Sequence, residues 1–185
     1  MKKLIALTLS PFLAAATGCS QYRQKPELAE PLTVSTSQEV TGKDPDEVFA
    51  LGQTKFALEL LQETVSANAG ENVVLSPYSM MQTLAMTAEG AAGETKTEME
   101  QMLGGEMDQL RQYLYTFRTE QSDNLLTANS VWLADRDDLT VEESFLSGLA
   151  YYDTPVFQED FHQDVVKSVN RWVENRTQGN IPQLL

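Results

Sequence analysis

A short apolar run that leads straight into a helix start constrains the fold of this chain most strongly. Residues 73–75 read Val-Val-Leu, follow the breaker residues 68–71 and precede Ser76 and Pro77. An apolar run between turn signals is typical of a buried strand. Ser76 suits a helix cap and Pro77 the first helical position, because serine accepts a bond from a free amide there and proline lacks that amide. The pattern predicts a short buried strand, followed at once by a helix that ends at Gly90.

Apolar residues at helical spacing predict most of the remaining structure as helix. The expected helices cover about residues 46–67, 76–89, 95–103, 106–119, 140–149 and 165–178. Two of the starts carry a capping-box spacing, namely Thr95 with Glu98 and Thr140 with Glu143. Residues 124–134 and 154–157 predict two further strands, and the first, apolar on both faces, is expected to be covered on both sides. The element order predicts an α+β fold in one domain.

Residues 1–18 have the features of an export signal peptide. A basic tip at Lys2 and Lys3 precedes residues 4–16, which are mostly apolar but too few to span a bilayer. The leader is therefore expected to direct export and not to form a transmembrane anchor.

Cys19 is the one cysteine of the chain and stands directly after Gly18. This position resembles a bacterial lipoprotein signal, and the resemblance implies a lipid on Cys19 that anchors the protein in the bacterial cell envelope, outside the cytoplasm. The alternative is an ordinary cleaved signal in which the cysteine has no such role. Residues 19–45 are rich in polar and breaker residues, and predict a flexible tether between the lipid and the domain.

The charge balance excludes one class of partner. The chain has 13 Lys and Arg against 27 Asp and Glu, a net charge of -14, and removing Lys2 and Lys3 with the leader makes it more negative. Binding of nucleic acid needs clustered cations, so no nucleic-acid partner is expected.

The sequence shows no group of residues typical of a catalytic or metal-binding site. His162 is the one histidine, so no multi-histidine metal site is expected, and a Ser-His-Asp triad would need it as its base. Its neighbours Asp160 and Asp164 are instead typical of a solvated helix start. We therefore expect no enzyme activity, no catalytic residue, no metal and no cofactor.

Several stretches, in order, resemble the serpins, a family made mostly of serine-protease inhibitors. The resemblance covers about residues 48–185. It is carried by FALELL at 56–61, NVVLSPYS at 72–79, GAAGET at 90–95, ANSVWL at 128–133, Val156 with Asp160-Phe161, NRWVE at 170–174 and TQGNI at 177–181. The family usually has lysine where Asn180 stands.

The resemblance implies a serpin-like fold and a suicide trap. In an inhibitory serpin a protease cleaves an exposed bait loop, is held as an acyl-enzyme, and the loop inserts as a new strand into the large sheet A. The strands at 124–134 and 154–157 correspond to that sheet, and the helix at 165–178 lies across it. Some serpins bind glycosaminoglycans through basic clusters on the fourth helix, but Arg111 and Arg118 are the only cations there, so no such site is expected.

Asn72, Ser76 and Ser79 match the family's shutter region, where strands must part beneath the sheet. The match implies that these side chains lie buried together near the base of the strand at 124–134. The residues alone leave a simpler alternative open, in which Ser76 is only a helix cap and Asn72 only a turn residue.

The resemblance also sets the expected function and extent of the domain. Residues 46–185 correspond to the N-terminal part of a serpin domain, a truncated and incomplete fold in which the bait loop and its reactive residue are absent. We expect the full-length protein to inhibit a serine protease, or alternatively a cysteine protease, and these residues to be inactive alone. The rival interpretation is a non-inhibitory, lipid-anchored binding or structural protein of the cell envelope.

Overall fold

Six helices and two strands make up the regular structure of the part of the chain that the computed structural model describes, which is residues 30–32, 40–119, 127–161 and 165–185. The helices are α1 (Glu47–Ala67), α2 (Pro77–Ala88), α3 (Gly93–Leu103), α4 (Met107–Thr119), α5 (Glu143–Leu149) and α6 (Val165–Arg176). The strands are β1 (Val131–Ala134) and β2 (Val156–Glu159), and a 3₁₀ turn at Ala150–Tyr152 follows α5. This order agrees with the predicted α+β class.

Helix ends follow the sequence signals in some places and depart from them in others. Asp46 caps α1 by accepting the Phe49 amide at 2.8 Å, and Ser76 caps α2 with Pro77 at the first position. Gly104 ends α3 in the left-handed region at φ 79°, which glycine adopts without strain.

Both predicted capping boxes are wrong. α3 begins at Gly93, because a left-handed φ of 58° at that glycine turns the chain into the helix before Thr95. α5 begins at Glu143, after an extended Glu142 whose carbonyl accepts the first helical bond from Phe145. Neither helix has a side-chain cap.

The two strands pair in parallel, with Val131 opposite Val156 and Trp132 opposite Phe157. Alternation along each strand sends Val131, Leu133 and Val156 into the main core, whereas Trp132 and Phe157 face α6. The prediction that this sheet is covered on both faces is therefore confirmed for the described residues. The first strand is shorter than predicted, since residues 127–130 are not a strand and residues 124–126 lie outside the described part.

A helical core lies beneath the sheet, and a smaller cluster lies above it. The main core contains buried residues from α1 to α5, the 3₁₀ turn and β2, namely Phe49, Phe56, Met81, Ala85, Met86, Ala88, Leu103, Met107, Leu110, Tyr113, Leu114, Leu149, Tyr152 and Val156. The smaller cluster joins Phe157 of β2 to Trp172 and Val173 of α6. The Phe157 ring stacks on Trp132 at 4.4 Å between centroids and meets Trp172 at 6.3 Å, edge to face.

The predicted strand at residues 73–75 is wrong. The segment has no strand pairing, and Val74 is 98 % exposed. A strand needs an edge with which its amides and carbonyls can pair, and no described residue offers one here.

The predicted flexible tether at residues 19–45 stays a prediction, but two of the parts that the structure describes contact the domain. Leu32 pairs with Val156 in an antiparallel bridge and packs against the main core. Further along, the Lys43 amide donates to the carbonyl of Gln112 in α4 at 3.3 Å. The stretch before α1 is therefore held on the domain at two points.

Candidate functional site

The three residues assigned to the shutter lie at the start of α2 and before it. The Ser76 and Ser79 hydroxyls are 2.9 Å apart, and the Ser79 amide donates to Oγ of Ser76 at 3.3 Å. The expectation that Asn72, Ser76 and Ser79 are buried together is wrong, since all three are exposed. At the start of α2 the contact with α4 is made by Tyr78, whose ring lies 4.8 Å from the Phe117 ring between centroids, while the two serines stay exposed. Their role in a shutter stays a prediction.

A buried polar contact, which the sequence analysis missed, joins α2 to the segment before β1. Gln82 is only 2 % exposed; its Nε2 donates to the Tyr78 hydroxyl at 2.8 Å, and its Oε1 accepts from Nδ2 of Asn129 at 3.2 Å. Because a buried amide without partners is costly, these contacts fix the position of the chain entering β1 relative to α2. The one signal in the sequence was the place of Gln82 beside Met81 on the apolar face.

The two outer edges of the β1-β2 sheet differ in whether another segment pairs with them. Among the described residues no strand lies on the far side of β1, so its sheet is ordered β1-β2 alone. The opposite edge, the outer edge of β2, carries the bridge from Leu32. An edge with outward backbone groups is a template for another strand.

A buried ion pair connects α2 to α4 and to the turn after α5. Nε and the terminal nitrogen Nη2 of Arg111 donate to the two carboxylate oxygens of Glu89 at 2.8 and 2.6 Å, and the Tyr152 hydroxyl donates to the same carboxylate at 3.1 Å. The Glu89 side chain is fully buried. The hydrogen bonds to Glu89 raise the pKa of Arg111, and burial, followed by the charge of Glu89, raises the pKa of Tyr152.

The two arginines of α4 both contact carboxylates of the domain. Besides Glu89, Arg111 contacts Asp108 at 2.8 Å, and Arg118 lies 3.6 Å from Asp153, which also pairs with Arg176. Their positive charges are thus paired with carboxylates of the same chain, which distinguishes them from an unpaired basic cluster.

Two residues singled out from the sequence, Cys19 and His162, lie outside the described residues. Within residues 30–32, 40–119, 127–161 and 165–185, no group of His, Cys, Asp and Glu side chains is arranged to hold a metal ion. Across the same ranges, no helix has both the length and the apolar character that a membrane span requires.

The described residues form a parallel strand pair with a helical core on one face and helix α6 on the other, which is an α+β arrangement. The sequence model of the serpin family, described as serine protease inhibitors, matches residues 51–185. The chain belongs to the serpin family.

Solved and curated relatives agree with this assignment. The structure of a thermophilic serpin, tengpin, in the native state is similar with a TM-score of 0.74 and 32 % identity, over 86 % of this chain and 42 % of that one. Corticosteroid-binding globulin of Oryctolagus cuniculus is 31 % identical over 159 residues, which is 79 % of this chain and 41 % of the relative. Leukocyte elastase inhibitor of Sus scrofa is 27 % identical over 149 residues, 75 % of this chain and 39 % of the relative. The chain thus spans about two fifths of the length of these relatives, and the serpin-like fold class is confirmed over that part.

Proposed function

We propose that this chain is part of a serpin that inhibits a serine-type endopeptidase outside the cytoplasm by suicide trapping, with a cysteine protease as the alternative target. The family assignment supports protease inhibition, and relatives include one named as an inhibitor of leukocyte elastase. It also supports the expectation that the protein is no enzyme. Because the chain spans about two fifths of its relatives' length, the proposal concerns the whole protein.

The observation that supports trapping best is the separation of the sheet's two packing layers. Adding a strand to a sheet requires its strands and the helix across them to shift. α6 meets the sheet through a small cluster around Phe157, Trp172 and Val173, which is distinct from the main helical core. A small, separate contact can rearrange at a lower cost than the buried core, since fewer apolar groups leave their partners.

The experiment uses the product of the gene, including any coding sequence that follows the Leu185 codon. It is incubated with trypsin-, chymotrypsin- and elastase-like proteases and with a papain-like cysteine protease, and the mixture is resolved by denaturing electrophoresis. We expect a denaturant-stable complex with at least one serine protease, none with a protease inactivated beforehand, and none from residues 1–185 alone. A complex formed by residues 1–185 would contradict the expectation that they are inactive.

A second part of the proposal concerns location. We propose that a lipid on Cys19 holds the protein at the bacterial envelope, supported by the basic and apolar leader and by the position of Cys19 after Gly18. Mass spectrometry of the expressed protein should show an acylated Cys19, with Cys19→Ser as the control that is soluble and unmodified. A mature chain that begins elsewhere and fractionates as soluble would overturn this part alone.

The rival function is a non-inhibitory, lipid-anchored binding protein. It is favoured by one observation, the similarity to a relative named for binding corticosteroid. A stop codon directly after Leu185, or a folded longer product that forms no covalent complex with any protease, would favour this alternative.

A further inference from the structure

The outer edge of β2 is occupied by a segment from the start of the chain. Leu32 forms an antiparallel bridge with Val156, and its N–H donates to the Val156 carbonyl at 2.7 Å. Successive carbonyls along a strand point to opposite edges, which identifies the edge of β2 that the Val156 carbonyl faces. The carbonyl of Pro155 accepts from Val131 on the β1 side at 3.0 Å, so the next carbonyl points to the opposite edge.

The composition of this segment suits an outermost strand. Leu32 is half-buried and packs against the main core, so the contact includes apolar burial as well as one hydrogen bond. Pro31 precedes it and has no backbone N–H to donate. Backbone groups of successive residues face opposite sides of a strand, so those of residue 31 face away from β2. Because Pro31 has no N–H there, this outer side offers one hydrogen-bond donor fewer to a further strand.

A second attachment holds the chain before α1 against α4. The Lys43 amide bonds the Gln112 carbonyl, and the Lys43 ammonium lies 5.4 Å from the centre of the Tyr113 ring. The Tyr113 hydroxyl donates to Asp46 at 2.7 Å. At Gly42 a Cβ would overlap the Thr116 side chain, so the backbone passes α4 closer than other residues permit. The segment that leads to α1 therefore begins and ends at fixed points on the domain.

We propose that the outer edge of β2 is a strand-binding edge which residues 30–32 fill within the same chain, and that residues 30–32 of a second copy are the partner it takes when that segment is displaced. Extended segments add to exposed sheet edges through backbone hydrogen bonds, and alternate side chains give the pairing its specificity. Here the Leu32 amide supplies the bond and the Leu32 side chain the apolar contact. The outer edge of β2 is therefore already paired. If the protein traps proteases by adding a strand to this sheet, the new strand enters at another place; this consequence alone rests on the proposed function.

The test uses the full chain, purified in detergent, and a fluorescein-labelled peptide of residues 27–38. Leu32→Pro in the chain removes the donating N–H, whereas the matched control Leu32→Val keeps the N–H and a branched apolar side chain. Fluorescence anisotropy should show the peptide binding the Leu32→Pro chain at least about tenfold more tightly than the unmodified or Leu32→Val chains, because in those the tethered segment competes at high effective concentration. A peptide that itself carries Leu32→Pro should not bind.

Three results would overturn the proposal: equal affinity for all three chains, equal binding of both peptides, or no binding to the Leu32→Pro chain. Hydrogen exchange on the unmodified chain keeps the test valid if Leu32→Pro does not fold. The Leu32 amide should exchange at least about tenfold more slowly than a free amide, and exchange at the free rate would refute the docking. None of these measurements involves a protease, so their failure is distinct from failure of the trapping function.

Discussion

Gly148 of α5 and Glu89 at the end of α2 approach so closely that a Cβ on residue 148 would overlap the Glu89 carboxylate. The missing side chain leaves the space in which that carboxylate meets Arg111 and Tyr152. A glycine in a helix interior is ordinarily unfavourable, so here close packing explains it. The contacts of Glu89 with Arg111 and Tyr152 join α2, α4 and the turn after α5.

Gly148→Ala is expected to destabilise the fold, because the added methyl group displaces the Glu89 carboxylate from Arg111. Overpacking of this kind typically costs about 1–3 kcal/mol, which outweighs the gain of about 1 kcal/mol that alanine brings to a helix. Urea unfolding should show a lower midpoint. Ser144→Ala, at an exposed position of the same helix, is the control and should leave the midpoint nearly unchanged.

Arg111→Met is expected to cost about 3 kcal/mol, since it leaves the buried Glu89 carboxylate without its charged partner. The value belongs at the low end for buried pairs, because a quarter of the Arg111 side chain is exposed. Adding Glu89→Leu should recover most of the loss. The matched control is Arg136→Met, which breaks a comparable two-bond pair with Asp138 at the surface and should hardly move the midpoint. A similar loss in both single variants would contradict the importance of burial.

Tyr152 should make stability fall in strong alkali. Burial and then Glu89 raise the pKa of Tyr152 above its usual value near 10. The folded state therefore keeps the phenol proton at a pH where the unfolded chain has lost it. The free energy of unfolding is expected to fall above about pH 10, by up to about 1.4 kcal/mol per pH unit from this group.

The comparison of Tyr152→Phe with the unmodified chain isolates this contribution. The free energy of unfolding of both chains is measured in urea between pH 8 and 11. Plotted against pH, the two curves should be parallel below pH 10 and converge above it. Curves that stay parallel throughout would show that Tyr152 ionises equally in the folded and unfolded chains.

Ser76→Ala should destabilise α2 by about 1 kcal/mol, through loss of the cap on the Ser79 amide. Because Ser76 and Asn72 are exposed in this chain, Asn72→Ala and the bulkier Ser76→Asn should change little, the latter since asparagine also caps. Thermal unfolding of the three variants distinguishes the two interpretations. Losses of several kcal/mol in all three would indicate a buried shutter.

The sequence predicted well those features that depend on neighbours along the chain. The spacing of Met107, Leu110 and Leu114 predicted α4, and glycines such as Gly104 marked where helices end. Ser76 with Pro77 placed the start of α2 correctly. In these cases the signal and the structure lie within one or two helical turns.

Features that depend on distant contacts could not be predicted in the same way. Glu89 and Arg111 are 22 positions apart, and nothing local marks either as buried. Leu32 belongs to no helical or strand pattern in the sequence, and its pairing with Val156 depends on a sheet edge formed more than a hundred residues later. Residues 73–75 show the reverse case, since the apolar run suggested a strand but no described residue pairs with it. A strand is defined by its partner, whereas a helix contains its own hydrogen bonds.

The intrinsic tryptophan fluorescence of the chain reports on the contact between α6 and the sheet. Its two tryptophans, Trp132 and Trp172, both belong to the aromatic cluster around Phe157, and none lies in the helical core. The indole emission therefore reports on one layer of the molecule. Separation of α6 from the strands would shift the fluorescence spectrum while the helical circular dichroism stays constant, so the movement of a single helix can be followed without any label.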